Sequence, residues 1–181
     1  PTSAEPFDHR GLKVRPDQEL IKALDEHLVS LNDVPSGRET GVIHPSEIAT
    51  SSCDRAIAYG LLKTESREST PPFLRRIFDM GHAFHDTVQA KLREISSEAQ
   101  IEAPARISDL RIAGHCDGVI GDTGFEIKSI NENGFNSLRG AKRDHVKQAV
   151  VYASALDLKR LIYLYVNKGT GEIKDYEAAV D

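Results

Sequence analysis

The sequence predicts an α/β protein in which helices flank a central mixed β-sheet. Apolar residues recur at helical spacing in the first half of the chain, whereas short apolar-rich runs bounded by turn residues dominate the second half. One further amphipathic segment separates the first three of these runs from the last two. A helix placed between strands in this way crosses over the sheet, so helices and a mixed sheet should pack together.

Length and composition favour one soluble globular domain over residues 1–181, with residues 1–40 as a helical N-terminal extension. Apolar residues make up 39% and charged residues 28% of the chain. No segment approaches the ~20 apolar residues that a transmembrane helix needs. The polar N-terminus lacks a signal-peptide pattern, and two cysteines make no disulfide framework, so we expect a cytoplasmic protein.

The helices follow from apolar stripes and capping residues. Ser46 is the expected N-cap of the second helix, because its hydroxyl can accept a hydrogen bond from the first turn. The third helix carries a stripe that should face the core, namely Ile77, Met80, Phe84, Val88, Leu92 and Ile95. The predicted helices span Pro16–Leu31, Glu47–Leu62, Phe73–Ser96 and Ser137–Leu156.

The strands are bounded by turn residues. Gly121–Gly124 and Lys168–Gly171 each contain two glycines and separate apolar-rich runs, which is typical of hairpins. The predicted strands span Ile101–Ala105, Arg111–Ile120, Phe125–Ile130, Leu161–Val166 and Glu172–Glu177.

The first hairpin carries the strongest functional signal. With Asp122–Thr123 as its two-residue loop, Val119 lies opposite Glu126 and Asp117 lies opposite Lys128. These four side chains then share one face of the sheet, with the Cα atoms of Asp117 and Glu126 roughly 7–8 Å apart and both carboxylates able to reach one ion. The alternative is a solvated hairpin face on which an acid and a lysine form an ordinary ion pair. Helices on both sides of the hairpin favour the metal site, since covered carboxylates need a cation.

Two helices supply further candidates. His85 borders the apolar stripe of the third helix and is a candidate metal ligand, whereas His82 lies on its polar side. Gln148 and Tyr152 are four residues apart and share one face of the last long helix, where they could support a phosphate or water. A buried structural histidine and a polar helix boundary are the respective alternatives.

Charge and cysteine content limit the functional classes. A net charge of −5 argues against a simple electrostatic nucleic-acid binder but permits local contacts with DNA. Arg55, Arg139 and Lys142 are candidate phosphate contacts, although a solvated surface also explains each of them. The two cysteines, Cys53 and Cys116, lack the spacing of a metal-binding motif.

In chain order the motifs are a helical His85, Asp117 and Glu126–Ile127–Lys128 on a hairpin, and Gln148 with Tyr152 on a helix. This arrangement resembles the PD-(D/E)XK nuclease superfamily, which has a restriction-endonuclease-like core. It is most similar to the RecB-type exonuclease branch and to the nuclease domain of CRISPR-associated iron–sulfur exonucleases. The resemblance runs from His44 to Val166, and Ser46 and Cys53–Asp54–Arg55 resemble the N-terminal segment of that branch.

The resemblance implies a role for each motif. His85, Asp117, Glu126 and the carbonyl of Ile127 would bind Mg²⁺ or Mn²⁺, and Lys128 would activate or orient the attacking water. Gln148 and Tyr152 would support the site and the DNA. The iron–sulfur members need four cysteines, so no cluster is expected in a chain with two.

We therefore expect a metal-dependent DNA exonuclease that acts in recombination, repair or phage DNA processing. The same core would serve a structure-selective or restriction-type endonuclease, and a non-catalytic DNA-binding module on the same fold is the alternative from another class. The expected partners are DNA and a recombination or helicase protein, without a membrane. The sequence leaves the oligomeric state open.

Overall fold

A computed structural model describes residues 18–34, 37–51, 53–62 and 69–180. Within these ranges the chain forms an α/β fold with one five-stranded mixed sheet, as the sequence predicts. The helices are α1 (Glu19–Ser30), α2 (Pro45–Thr50), α3 (Asp54–Leu61), α4 (Pro72–Ile95), α5 (Glu132–Ser137) and α6 (Arg143–Leu156). The strands are β1 (Gln100–Ile107), β2 (Ile112–Ile120), β3 (Thr123–Ile130), β4 (Arg160–Asn167) and β5 (Ile173–Ala179).

The strands are ordered β1-β2-β3-β4-β5 across the sheet. Neighbouring strands are antiparallel except β3 and β4, which run parallel because α6 crosses between them. The five predicted strands are therefore confirmed, each within three residues at either end. Residues 1–17 of the predicted N-terminal extension lie outside the described residues, and the proposed domain boundaries stay a prediction.

The predicted helix Glu47–Leu62 is wrong, because two short helices occupy this region. The first begins at Pro45, with His44 rather than Ser46 at the N-cap. It ends where Ser51 bonds locally, its hydroxyl accepting from the Cys53 amide and donating to the Cys53 carbonyl. Such side-chain bonds to nearby backbone compete with helical hydrogen bonds. The second helix then begins at Asp54.

The predicted helix Ser137–Leu156 also starts too early. The Asn131 side chain accepts a hydrogen bond from the Gly134 amide and caps α5, which the sequence pattern missed. The helical conformation is then interrupted between α5 and α6, where the Arg139 guanidinium donates to the carbonyls of Asn136 and Leu138. The longer helix starts only at Arg143.

Helix α4 matches its prediction within one residue at each end, but its apolar stripe is buried only in part. Leu92 is buried and Phe84 and Val88 are half-buried, whereas Ile77, Met80 and Ile95 are exposed. The helix has 24 residues, about 36 Å, and so extends beyond strands of eight or nine residues. The hydrophobic core cluster instead includes residues of α6, namely Ala149, Tyr152 and Ala153.

None of the helices in the described ranges combines the length and the apolar character needed to span a bilayer.

Candidate active site at the divergence of two strands

Strands β2 and β3 pair only near their shared turn. Backbone pairing joins Ile120 to Thr123, Val119 to Gly124, and Gly118 to Phe125. Beyond these, β2 stays paired with β1 and β3 stays paired with β4. The central strands of the sheet therefore diverge at Asp117 and Glu126.

The predicted register of this hairpin is wrong by two residues. The loop is Gly121–Asp122 rather than Asp122–Thr123, because Gly121 adopts a left-handed φ of 59°. Glycine accepts this conformation without steric cost, so it sets the first loop position. A shift of two residues preserves the alternation of faces. Glu126 and Lys128 therefore still lie on one face, and the direct opposition of Asp117 and Lys128 is lost.

Asp117 occupies the gap that opens between the strands. Its Oδ2 accepts a hydrogen bond of 2.6 Å from the Ile127 amide, so a side chain bridges the strands where backbone pairing has ended. Its Oδ1 lies 3.6 Å from Nδ1 of His85, which projects from α4. Burial raises the pKa of the Asp117 carboxyl more than the nearby His85 and Lys128 lower it.

Glu126 is almost fully buried on the neighbouring strand, with 1% of its surface exposed. Lys128 Nζ lies 2.5 Å from its Oε1, while Oε2 has no hydrogen-bond donor among the described residues. Burial raises the pKa of the Glu126 carboxyl to about 7 despite Lys128, and the charge of Asp117 adds to the rise. Burial acts to lower the pKa of Lys128, but the two carboxylates outweigh it and raise the value.

Helix α6 packs on the side of the site that carries Glu126 and Lys128. Gln148 and Tyr152 are both buried, and the Gln148 amide lies 3.4 Å from the Tyr152 hydroxyl as its donor. Burial raises the pKa of the Tyr152 phenol well above its ordinary value, and the charges of Glu126 and Asp117 contribute to the rise. Tyr152 therefore lies within electrostatic reach of the carboxylates, and Gln148 joins it through their hydrogen bond.

A histidine–tyrosine pair next to Lys128 was not predicted. His145 Nδ1 lies 2.8 Å from the Tyr165 hydroxyl, which also accepts a hydrogen bond from the Lys142 amide. Burial, followed by the charges of Lys128 and Lys142, lowers the pKa of His145 to about 4. The neutral imidazole therefore shares the α6 side of the site with the Lys128 ammonium.

Helix α4 contributes a second residue that the sequence pattern missed. Gln89 lies seven residues after His82, on the side of the helix whose sequence pattern is polar, yet it is buried and its amide donates to the Asp117 carbonyl and to Glu102. His82 is exposed, as predicted, and lines a cavity of about 460 Å³ beside the site. Ser46, Glu102 and Tyr152 also line this cavity.

Within the ranges that the structure describes, the residues predicted to contact phosphate form no hydrogen bond or ion pair with the carboxylates of the site. Ser46 accepts a hydrogen bond from Arg38 at the cavity wall. Arg55 is exposed on α3, and Lys142 is exposed at the N-cap of α6. The Arg139 guanidinium bonds to nearby backbone carbonyls instead of facing the carboxylates.

The donor set suits a hard divalent cation, although it is not preassembled. Within the described residues, no three His, Cys, Asp or Glu side chains converge closely enough to form a complete metal site. However, Oε2 of Glu126 is buried and has no hydrogen-bond donor among the described residues. The negative charges of Asp117 and Glu126 also repel each other. A cation between two such carboxylates would offset both effects. Asp117 and Glu126 therefore fit Mg²⁺ or Mn²⁺, with His85 as a nitrogen donor beside them.

Comparison with known proteins supports the fold. No protein-family profile and no curated protein sequence matches the chain. Among solved structures, the alkaline exonuclease LHK-Exo from Laribacter hongkongensis matches with a TM-score of 0.58 and 12% identity, over 86% of this chain and 82% of that one. Its complex with dAMP matches with a TM-score of 0.59 and 14% identity, over 86% and 83%. SSO0001 matches with a TM-score of 0.58 and 17% identity, over 90% and 79%.

The fold is nuclease-like. At this level of identity the comparisons establish the architecture alone, so the RecB-type branch stays a prediction. The nuclease-like fold was recognisable from the order of a helical histidine, a hairpin with two acids and a lysine, and a helical glutamine–tyrosine pair. Gln89, Glu102 and His145 gave no comparable signal, because their burial and contacts arise only when distant segments pack together.

Proposed function

We propose that this protein is a metal-dependent deoxyribonuclease that hydrolyses phosphodiester bonds, and that it acts as an exonuclease. The observation that carries the proposal is the pair of buried carboxylates, Asp117 and Glu126, at the strand divergence with Lys128 in contact. Two solved structures of similar fold belong to an alkaline exonuclease, one of them bound to dAMP. This likeness supports a nuclease over an unrelated hydrolase and favours an exonuclease within that class.

Each side chain has a defined part in this proposal. Asp117, Glu126, His85 and the Ile127 carbonyl would hold Mg²⁺ or Mn²⁺. When bound, the ion would lower the pKa of a water molecule and offset negative charge on the scissile phosphate. Lys128 donates from its ammonium to the attacking water or to a phosphate oxygen, which stabilises charge in the transition state. Its raised pKa keeps this group protonated at neutral pH.

Helix α6 supports the reacting groups in this proposal. Gln148 and Tyr152 fix the α6 side of the site through their mutual hydrogen bond, next to the cavity. A strand of DNA would contact the exposed cations Arg55 and Lys142 through its phosphates. Ser46 and Arg139 are weaker candidates for such contacts, since each already bonds within the protein. The proposed setting is recombination, repair or phage DNA processing in the cytoplasm, with a recombination or helicase partner.

A comparison of DNA topologies tests the proposal directly. Purified protein would be incubated with linear and with covalently closed circular DNA, in Mg²⁺, Mn²⁺ or EDTA. We expect metal-dependent loss of linear DNA while closed circles survive. Cutting of the circles would replace the exonuclease with an endonuclease, and DNA binding without any metal-dependent loss would show a non-catalytic module.

A further inference from the structure

Gln89 joins helix α4 to the strand that carries Asp117. It is buried, with 6% of its surface exposed, and lies one helical turn after His85. Its Nε2 donates to the Asp117 carbonyl at 2.9 Å and to Glu102 Oε1 at 2.6 Å. Residues four apart share one face of a helix, so α4 presents both His85 and Gln89 to the same aspartate.

The contact is made where the β1–β2 ladder is irregular. Ile101 pairs with Gly118 and Ala103 pairs with Cys116, whereas Glu102 and Asp117 between them do not form a pair. Glu102, which lies at this position, adopts a left-handed φ of 51° that is strained for a residue with a side chain. At this irregular position the Gln89 amide donates to both strands, to the Glu102 side chain on β1 and to the Asp117 carbonyl on β2.

We propose that Gln89 is a positioning residue that fixes Asp117 for the proposed metal site. This inference rests on the function proposed above. Three oxygen atoms of Asp117 then have defined neighbours: Gln89 at the carbonyl, the Ile127 amide at Oδ2 and His85 beside Oδ1. Glu102 keeps the Gln89 amide in place by accepting its second hydrogen bond. Partners of this kind orient metal ligands without touching the ion.

The first test needs no metal. Gln89→Met keeps the length of the side chain and removes the amide, so Asp117 should become free to leave Ile127. We expect hydrogen exchange at the Ile127 amide to accelerate about tenfold or more, while the buried Tyr163 amide keeps its protection. Unchanged exchange at Ile127 in a folded Gln89→Met protein would overturn the proposal.

The second test measures Mn²⁺ binding by calorimetry in the absence of DNA. We expect Gln89→Met to weaken binding about 10-fold or more. Glu102→Gln is the matched control, because its amide oxygen can still accept from Gln89, whereas Glu102→Ala removes the acceptor. Affinity should therefore fall in Glu102→Ala more than in Glu102→Gln. Equal affinities in Gln89→Met and wild type would contradict the inference.

The two readouts separate this inference from the proposed function. Faster exchange at Ile127 together with weaker Mn²⁺ binding supports both. Faster exchange in a protein whose wild type takes up no Mn²⁺ would support the positioning of Asp117 and overturn the metal-dependent function. The variants are checked for folding by circular dichroism, and Gln89→Asn provides a second substitution should Gln89→Met fail to fold.

Discussion

Two ion pairs on neighbouring strands have similar geometry and opposite character. On β3, Nζ of Lys128 lies 2.5 Å from Oε1 of Glu126. Between β4 and β5, Nε of Arg160 lies 2.8 Å from Oε1 of Glu177. The side chains of the first pair are 24% and 1% exposed, those of the second 48% and 53%. The hydrogen bond and charge of Arg160 lower the pKa of Glu177, whereas burial raises that of Glu126 to about 7.

The difference in burial indicates different roles for the two pairs. An exposed pair keeps most of its hydration and behaves as ordinary surface structure. A buried pair loses hydration that its mutual attraction recovers only in part, so it is weak evidence of a stabilising role. The Lys128–Glu126 pair is retained together with Asp117, a second buried carboxylate. Such a cluster is typical of a functional site, where charged groups are held in place at the expense of stability.

The largest contrast between the pairs should be in DNA cleavage. We expect Asp117→Asn, Glu126→Gln and Asp117→Ala to abolish metal-dependent cleavage, and Lys128→Met to slow it by about 10²–10³-fold or more. Arg160→Gln should leave the rate unchanged. Lys174→Met is a closer control for Lys128, because Lys174 on β5 is also half-buried but donates to the Phe135 carbonyl on α5. Single-turnover cleavage rates of folded variants measure the contrast, and a wild-type rate in Lys128→Met would remove its catalytic role.

The pairs should also differ in how metal affects stability. Mn²⁺ at about 100 times its Kd should stabilise the wild type by about 2.7 kcal/mol, because only the folded state binds it. Glu126→Gln should lose this gain, because it removes one of the two carboxylates that would bind the ion. Arg160→Gln should keep the full response. Thermal unfolding with Mn²⁺ and with EDTA makes the comparison, and an equal response in Glu126→Gln would exclude Glu126 as a ligand.

A smaller effect is expected from His145, on the α6 side of the buried pair. Its folded-state pKa of about 4 lies below the ordinary value of 6.5, so the unfolded state binds more protons between these values. Its contribution to stability is therefore complete above pH 6.5 and is lost as the pH falls toward 4. After allowance for partial exposure we expect about 1–2 kcal/mol.

The His145→Gln variant should accordingly lose less stability than the wild type on acidification through this range. Denaturant unfolding at pH 7, 5.5 and 4 measures the difference. His27→Gln, an exposed histidine on α1, is the control. Parallel pH curves for the wild type and His145→Gln would contradict a neutral, buried imidazole.

The comparison also explains which parts of the structure could be predicted from the sequence. The sheet and the long helices were predictable because hydrophobic periodicity reflects burial directly. Asp117, Glu126 and Lys128 could be assigned to one region because strand alternation and a glycine-containing turn place them there. The predicted register was wrong because the sequence did not show which two residues form the loop. The left-handed φ of Gly121 places the loop at Gly121–Asp122.

Tertiary contacts account for what was missed. Gln89 is polar and shares its side of the helix with the exposed Asp86 and Arg93, so its pattern is that of a surface residue. Its burial depends on the irregular strand at Glu102, which no local pattern reveals. The predictions of single helices at Glu47–Leu62 and Ser137–Leu156 were wrong for a local reason, since side-chain bonds from Ser51 and Arg139 to nearby backbone interrupt the helical hydrogen bonds.

The smallest expected effect is on stability at the exposed pair. Both Arg160 and Glu177 keep contact with water, so Arg160→Gln exchanges one hydrated contact for another. We expect the Tm to change by less than ~2 °C and the change to shrink further in high salt, where exposed charges are screened. Thermal unfolding at low and high ionic strength provides the measurement. A large, salt-independent loss of Tm in Arg160→Gln would mean that this pair is coupled to the core, and the contrast with Lys128 and Glu126 would then reflect position in the sheet rather than burial.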